Sequence, residues 1–263
     1  MRIREILDEI ELYAPLHWQE SYDNSGLIIG RDDVACTGVL VCLDADKATI
    51  EKAIENNINL IISHHPFIFN PIKSINTLNA QGEAIALAIK NDVNIYSAHT
   101  NMDAYINGVN GVLAKKIGLS NIEALNDERR FEDEGYLGIG AIGSLEESMS
   151  REEFFLLLKE KLGLDHIRYN SNQKSEIKKV AFCGGSGSFL IGKAIEKEAD
   201  IFITGDIKYH DFLDSEPNIL IADIGHFESE QFIKEKIIAI ISRKFSNFAP
   251  LISDDSSNRV RYF

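Results

Sequence analysis

No stretch of this chain stays apolar for the ~18 to 20 residues that crossing a bilayer requires. Its opening, Met1-Arg-Ile-Arg-Glu-Ile-Leu-Asp8, mixes charge with Ile and Leu as an amphipathic helix does, not as a secretion signal. Cysteine is scarce as well. Cys36, Cys42 and Cys183 form no Cys-x-x-Cys pair, and an odd number builds no disulfide scaffold, which predicts a reducing, cytoplasmic setting. Basic patches are missing: the clusters Arg129-Arg130 and Lys178-Lys179 are two residues long, against a formal net charge of -14 and a pI near 4.9. Such a surface repels phosphate backbones and argues against bulk affinity for nucleic acid. What is present is an ordinary globular complement, 44% apolar residues in a chain of 263, enough for one large or two moderate domains.

The chemistry concentrates where apolar strands stop. Leu60-Ile61-Ile62 reads as a buried parallel strand that ends at Ser63-His64-His65-Pro66. Within a regular strand, adjacent side chains face opposite ways, so two neighbouring histidines would not converge. Pro66 pushes His65 toward extended or turn geometry and removes a ladder donor, which places the pair in the loop at the strand's carboxyl end. Ligands of open α/β sheets collect at that edge. A helix over Lys47–Asn56 delivers the chain into this strand. A second helix near Gly82–Lys90 leads to the strand Val93–Ser97, which ends in another polar cluster, Ala98-His99-Thr100-Asn101-Met102-Asp103. Strands alternating with helices predict right-handed crossovers and a largely parallel sheet.

The last third repeats the first. Sliding the chain by 141 positions lays Val39 on Val180, Cys42 on Cys183, Ile50 on Ile191 and Lys52–Glu55 on Lys193–Glu196. The His64-His65 loop then falls against Gly205-Asp206. The expected architecture is therefore α/β, with two related units of mixed, largely parallel sheets. The first covers residues 1–125. The second covers 126–263, of which 126–179 is a connecting strand and helix and 180–263 the repeat, with exchange of elements between the two permitted.

Each repeat offers two strand-end loops: His64-His65 and His99–Asp103, then Asp206–His210 and Asp223–Glu230. The last opens a helix expected over Phe227–Phe245, with Phe232, Ile233, Ile237, Ile240 and Ile241 on its buried side. His226 and Glu230 are four apart and share a face if the first turn begins at His226, whereas Glu228 points elsewhere. His64, His65, Asp103, His226 and Glu230 form a mixed nitrogen and oxygen donor set suited to zinc, iron, manganese or cobalt. Five donors exceed what one catalytic zinc needs and point to two divalent ions, with a carboxylate such as Glu230 able to bridge them.

A loop histidine or a capping acid explains any one of these residues alone; the set at matching edges is what favours metal. His17 and His166 have no such company. His99 reads as an outer partner that orients a ligand, and Asp206, Lys208 and His210 occupy the repeat position of the His64-His65 loop, where they can act as acid, base or phosphate contact. Asp206, His210 and His99 are thus the catalytic candidates. Asp23-Asn24 reads as a turn.

Two glycine-rich segments carry weaker signals. Gly138, Gly140 and Gly143 spell a dinucleotide fingerprint, but no strand-turn-helix unit surrounds them, so Tyr136–Gly143 reads as a glycine-containing strand. Cys183-Gly-Gly-Ser-Gly-Ser188 precedes a helix and can offer amides to an anion, or be a tight turn; it has no P-loop lysine.

At Ser63-His64-His65-Pro66, His99-Thr100-Asn101-Met102-Asp103, Thr204-Gly205-Asp206 and Asp223-Ile-Gly-His-Phe-Glu-Ser-Glu230, with the approach Tyr22-Asp23-Asn24-Ser25-Gly26-Leu27, the sequence resembles the family called GTP cyclohydrolase 1 type 2, also known as NIF-three-like. The resemblance implies a dinuclear metal site in a cleft between two α/β domains and assembly into a hexameric ring. It implies His65 and Asp103 on one ion, His64 and His226 on the other, and Glu230 between them. The implied reaction is hydrolytic opening of the guanine imidazole ring of GTP, with loss of formate, giving dihydroneopterin triphosphate. The short 126–179 stretch has no room for the large insertion of some members, and Gly138–Gly143 lacks an arginine found in many.

Overall fold

Runs of four residues, apolar or nearly so, make the centre of the first sheet. The computed structural model describes residues 1–126, 131–246, 248–253 and 258–261; the Arg129-Arg130 cluster lies outside them. In chain order the first elements are α1 (Ile3–Tyr13), β1 (Gly26–Ile29), β2 (Val39–Cys42), α2 (Lys47–Glu55), β3 (Leu60–Ser63), α3 (Ala80–Lys90), β4 (Asn94–Ser97) and α4 (Thr100–Asp103). Next come α5 (Val109–Ile117), β5 (Ser120–Ala124), β6 (Ala141–Ser150), α6 (Arg151–Leu162), β7 (Arg168–Tyr169), β8 (Glu176–Ser186) and α7 (Ile191–Glu196). The chain closes with β9 (Ile201–Gly205), α8 (Tyr209–Ser215), β10 (Leu220–Asp223), α9 (His226–Glu230), α10 (Ile233–Lys244) and β11 (Leu251–Ile252). Among the described residues, no helix is long and apolar enough to cross a membrane.

The backbone divides into two α/β units, Met1–Met102 with Ile233–Phe263, and Asp103–Phe232. The sequence reading draws one boundary, between 125 and 126; the contacts draw two, because the C-terminal helix and strand return to the first unit. The helix expected over Phe227–Phe245 is accordingly broken. It stops at Glu230 and resumes at Ile233. Phe232 packs in the second unit's core, whereas Ile233, Ile237, Ile240 and Ile241 are buried on α10, which packs against α1 in the first unit. A continuous apolar period gives the spacing of buried residues but not which core they enter.

The first sheet runs β1-β4-β3-β2-β11, parallel except for β1. Every residue of β2, β3 and β4 is buried, as strands covered on both faces must be. The second sheet runs β5-β6-β8-β9-β10-β7, with a parallel centre of β8, β9 and β10 and antiparallel flanks. The internal repeat is visible in register: Val39 pairs with Leu60 in one sheet, and Val180 pairs with Ile201 in the other, each 141 positions on. In both sheets an antiparallel edge strand, β1 or β7, covers the last parallel strand. Gly138 and Gly140 lie outside regular structure at positive φ, and β6 begins only at Ala141, so the expected strand from Tyr136 is shorter than predicted.

Asp200 clamps the second sheet where β8 enters it. Its Oδ2 accepts the Lys178 and Lys179 amides at 2.9 and 2.8 Å, and its Oδ1 meets Lys174 Nζ at 2.6 Å. Burial opposes the charge, but the Lys174 bond and the two amides outweigh it and hold the carboxyl below its ordinary pKa. A depressed folded pKa stabilises above the unfolded value of about 3.9 and loses that contribution as pH falls through the folded one. Asp200→Asn should therefore cost about 2 kcal/mol in urea unfolding at pH 7, with the difference from the parent shrinking toward pH 3.

Candidate metal centre

Parallel pairing levels the strand ends of the first unit. Cys42 sits opposite Ser63, and Ser63 opposite Ser97, so Asp44, His64-His65 and His99 emerge along one edge. The ladder runs past the strands: His64 N donates to Cys42 O, His65 N to Leu43 O and Ala98 N to Ser63 O. The His64 and His65 rings lie 5.1 Å apart, and His99 stands 5.4 and 5.6 Å from them. One ligand atom from each of the three falls within 4.8 Å of the others.

What holds these rings decides which nitrogen faces outward. His64 Nδ1 is 2.7 Å from the carbonyl oxygen of Ala98. A carbonyl only accepts, so Nδ1 carries the proton and Nε2 the lone pair. His65 Nδ1 donates to Asp44 Oδ1 at 2.8 Å, and His99 Nδ1 to Asp23 Oδ1 at 2.7 Å. Asp23 is no mere turn residue. Its side chain is fully covered, and its Oδ2 also accepts from Ser25 Oγ, Thr100 N and Thr100 Oγ1. Burial alone would raise its pKa; His99, then Thr100 and the Asn24 amide, outweigh that and hold it well below the usual carboxylate range. The expected turn is present, with Asp23 N donating to Glu20 O, but Asp-Asn-Ser-Gly composition reports local geometry and is silent about a bond spanning 76 residues. Asp44 was also missed, although its place just beyond β2, at the edge shared with the histidines, is the signal that would have found it.

In the second unit α9 begins at His226, and His226 Nε2 lies 3.1 Å from Glu230 Oε2, the one-turn stacking its spacing predicts. His226 Nδ1 donates to Asp206 Oδ2 at 2.7 Å. Asp206 sits just past β9 with φ +57°, a conformation Asp tolerates better than most residues. Buried Asp223 fastens both loops, its Oδ2 accepting from Ile207 N and its Oδ1 from Gly225 N. Beneath the pair runs the glycine stretch of β8. A Cβ on Gly185 would stand 2.2 Å from Glu230 Oε1 and 3.3 Å from His226 Nε2, so the absence of a side chain there keeps space open at both. Asp103 belongs to the same neighbourhood: burial, then the charges of Asp103 and Glu230, push the Cys183 thiol well above its ordinary value.

Other candidates fall elsewhere. The Gly184, Gly185 and Gly187 amides donate to Asn110 Oδ1, Ser229 Oγ and Thr204 Oγ1, so they are not available to cradle an anion; the segment is a strand end. His210 is exposed in the first turn of α8, beside Tyr209, and Lys208 is the exposed residue before that helix. Asp206 reaches no further than His226 among its described bonds, which makes it a positioning group.

Four imidazoles, each with Nδ1 tied to a carbonyl or carboxylate, are the arrangement metal-binding histidines adopt, because the outer bond fixes the tautomer and aims Nε2. The residues fit a divalent ion. Fold and site thus define a two-unit α/β protein whose strand ends carry histidine and carboxylate clusters able to hold metal. The chain belongs to the Duf34/NIF3 (NGG1p interacting factor 3) family, whose profile covers residues 1–258. It is 38% identical over 231 residues to the "GTP cyclohydrolase 1 type 2 homolog" of Clostridium perfringens, spanning 88% of this chain and 87% of that one. A relative of the same name from Staphylococcus epidermidis is 29% identical over 359 aligned positions, covering 97% and 98%; that length exceeds this chain, so the relative carries added residues. The crystal structure of a Bacillus cereus protein related to NIF3 superposes with a TM-score of 0.90 at 25% identity, covering 100% of this chain and 99% of that one.

Proposed function

We propose that this protein is a metal-dependent hydrolase with a dinuclear centre, held by His64, His65, Asp103, His226 and Glu230, that acts on a purine nucleotide. The observation that carries this reading is the pinning of every histidine involved through Nδ1, which leaves Nε2 as the donor. The Clostridium perfringens relative, named a GTP cyclohydrolase 1 type 2 homolog, supports GTP as the substrate; the proposed reaction is opening of the guanine imidazole ring with release of formate.

A divalent pair bound there supplies Lewis acidity and lowers the pKa of water. The chain's own residues do the rest. Asp44 and Asp206 fix the tautomers of His65 and His226, and Gly185 keeps space at Glu230. His210, exposed on the helix that follows the Asp206 loop, is the proposed group for proton transfer with substrate, and its replacement by alanine should lower kcat about 10² to 10⁴-fold.

Purified protein loaded in turn with zinc, manganese, iron or cobalt and incubated with GTP should release formate in step with loss of GTP. Absence of turnover with all four overturns the substrate. Assembly as a hexameric ring belongs to the same proposal, and light scattering that returns the monomer's 29.5 kDa overturns it.

A further inference from the structure

We propose that Arg259 and Arg261 bind the phosphate chain of the substrate at the carboxyl edge of the first sheet, with Asp46 holding Arg259 in place until phosphate takes over. The inference deepens the nucleotide reading above and takes its ligand from it.

The need for cations follows from what else lines that edge. Asp44 and Asp46 lie in the turn between β2 and α2, and Asp23 lies behind His99. Burial, then the charges of Asp44 and Asp46, push the Cys42 thiol well above its ordinary value, opposed by Lys234, which is itself buried. On a chain of net charge -14, such an edge repels a polyphosphate unless local cations answer it. Few segments can supply them. The connection after β2 reaches Lys47, whose Nζ is taken by Glu83 at 2.7 Å and Glu51 at 3.8 Å. The one after β3 holds Lys73, inside a run, 69–80, that is exposed throughout, and Ala98-His99 after β4 holds no lysine or arginine.

The edge strand β11 brings two arginines. Leu251 and Ile252 pair in parallel with Leu40 and Val41, and Ser253 N donates to Val41 O, so the chain leaves β11 at the end where β2 delivers Asp44. Arg259 Nη2 then pairs with Asp46 Oδ2, two residues from the carboxylate that orients His65. The pair is built to exchange. Asp46 Oδ1 caps α2 by accepting from Thr49 N and Thr49 Oγ1, so Asp46 keeps its place when Oδ2 is released. The Arg259 side chain is 66% exposed, and an ion pair this open to water is weak. A phosphate offers the guanidinium fork two oxygens and more charge than a carboxylate does. Arg261, exposed two residues on, adds a second cation, and Val260 N donates to Asn258 Oδ1, which fixes the backbone between the two arginines.

The test titrates the zinc-loaded full chain calorimetrically with tripolyphosphate and with guanosine, and follows GTP turnover by formate release. Arg259→Ala/Arg261→Ala should bind tripolyphosphate about 10 to 100-fold more weakly and raise KM for GTP to the same extent, with guanosine affinity at the parent value. Asp46→Asn, which keeps an oxygen on Thr49 and releases Arg259, should tighten tripolyphosphate. Arg31→Ala/Lys90→Ala removes the same charge at the sheet's opposite edge, where Arg31 N meets Asn94 at the start of β4, and should change neither. Equal losses in both double variants, or loss of guanosine along with tripolyphosphate, overturn the inference, because the arginines then act through bulk charge or the shape of the site. So does a parent without affinity for tripolyphosphate. If tripolyphosphate depends on the arginines while KM for GTP does not, the site serves a free polyphosphate and the assignment to substrate falls. A parent that releases no formate but binds tripolyphosphate through the two arginines overturns the reaction and leaves the phosphate site standing; an arginine variant with the parent's affinity and KM does the reverse.

Discussion

Gly185→Ala should cost the protein its cation at the His226–Glu230 pair, lowering affinity there at least 100-fold, without any ligand being changed. The new methyl would stand 2.2 Å from Glu230 Oε1, well inside contact distance, and 3.3 Å from His226 Nε2. The backbone has little freedom to withdraw, since Gly185 N donates to Ser229 Oγ and its carbonyl accepts from Thr204 Oγ1. Ser229 Oγ in turn donates to the His226 carbonyl, so retreat at 185 drags the helix that carries both donors. The φ of +64° adds strain of about 1 kcal/mol for any residue with a Cβ. Glu230 must therefore swing away from its place. The matched control is Gly192→Ala in α7, where an added Cβ meets nothing within 4 Å and the helix should gain about 0.5 to 1 kcal/mol. Isothermal titration with Mn²⁺ and Zn²⁺ reads the result. Parent-like binding by a folded Gly185→Ala protein would remove Glu230 from the ligand set.

The elements that place these donors are written in the chain wherever burial dictates composition. Leu60–Ile62, Val39–Leu43 and Leu220–Ala222 are apolar because strands covered on both faces admit little else, so their ends, and hence the locations of His64-His65 and of the Asp223 loop, follow from the runs themselves. The spacing of His226 and Glu230 likewise fixed a shared helical face once α9 began where the glycine of Gly225 allowed the turn. Legibility ended where partners are remote. Asp23 has nothing in its neighbours to distinguish an orienting carboxylate from a turn acid, and the distinction exists only when β1 and β4 lie side by side. The division of the 227–245 helix was hidden for a similar reason: Phe232 and Ile233 are equally apolar, yet they enter different cores.

Asp23→Asn should separate a structural clamp from a metal-positioning group more cleanly than any other single change. All the groups that meet this carboxylate are donors: His99 Nδ1 and Asn24 N at Oδ1, and Ser25 Oγ, Thr100 N and Thr100 Oγ1 at Oδ2. An amide has one oxygen to offer. With its NH₂ toward His99, it donates to Nδ1 and drives the imidazole proton to Nε2. With its NH₂ toward Thr100, it sets donor against donor in a covered site. Either arrangement costs about 3 kcal/mol of stability, and the first also reverses the tautomer of His99. The expected outcome is a metal-free protein that unfolds at lower denaturant and that binds metal at the His64-His65 strand end about 10 to 100-fold more weakly. Thr100→Val supplies the comparison, since it removes the hydroxyl bond and leaves Asp23 facing His99; it should lose stability and keep its cation. If Asp23→Asn behaves as Thr100→Val does, unstable but undiminished in metal affinity, Asp23 serves only to tie β1 to the start of α4, and the tautomer of His99 has no bearing on what the strand ends bind.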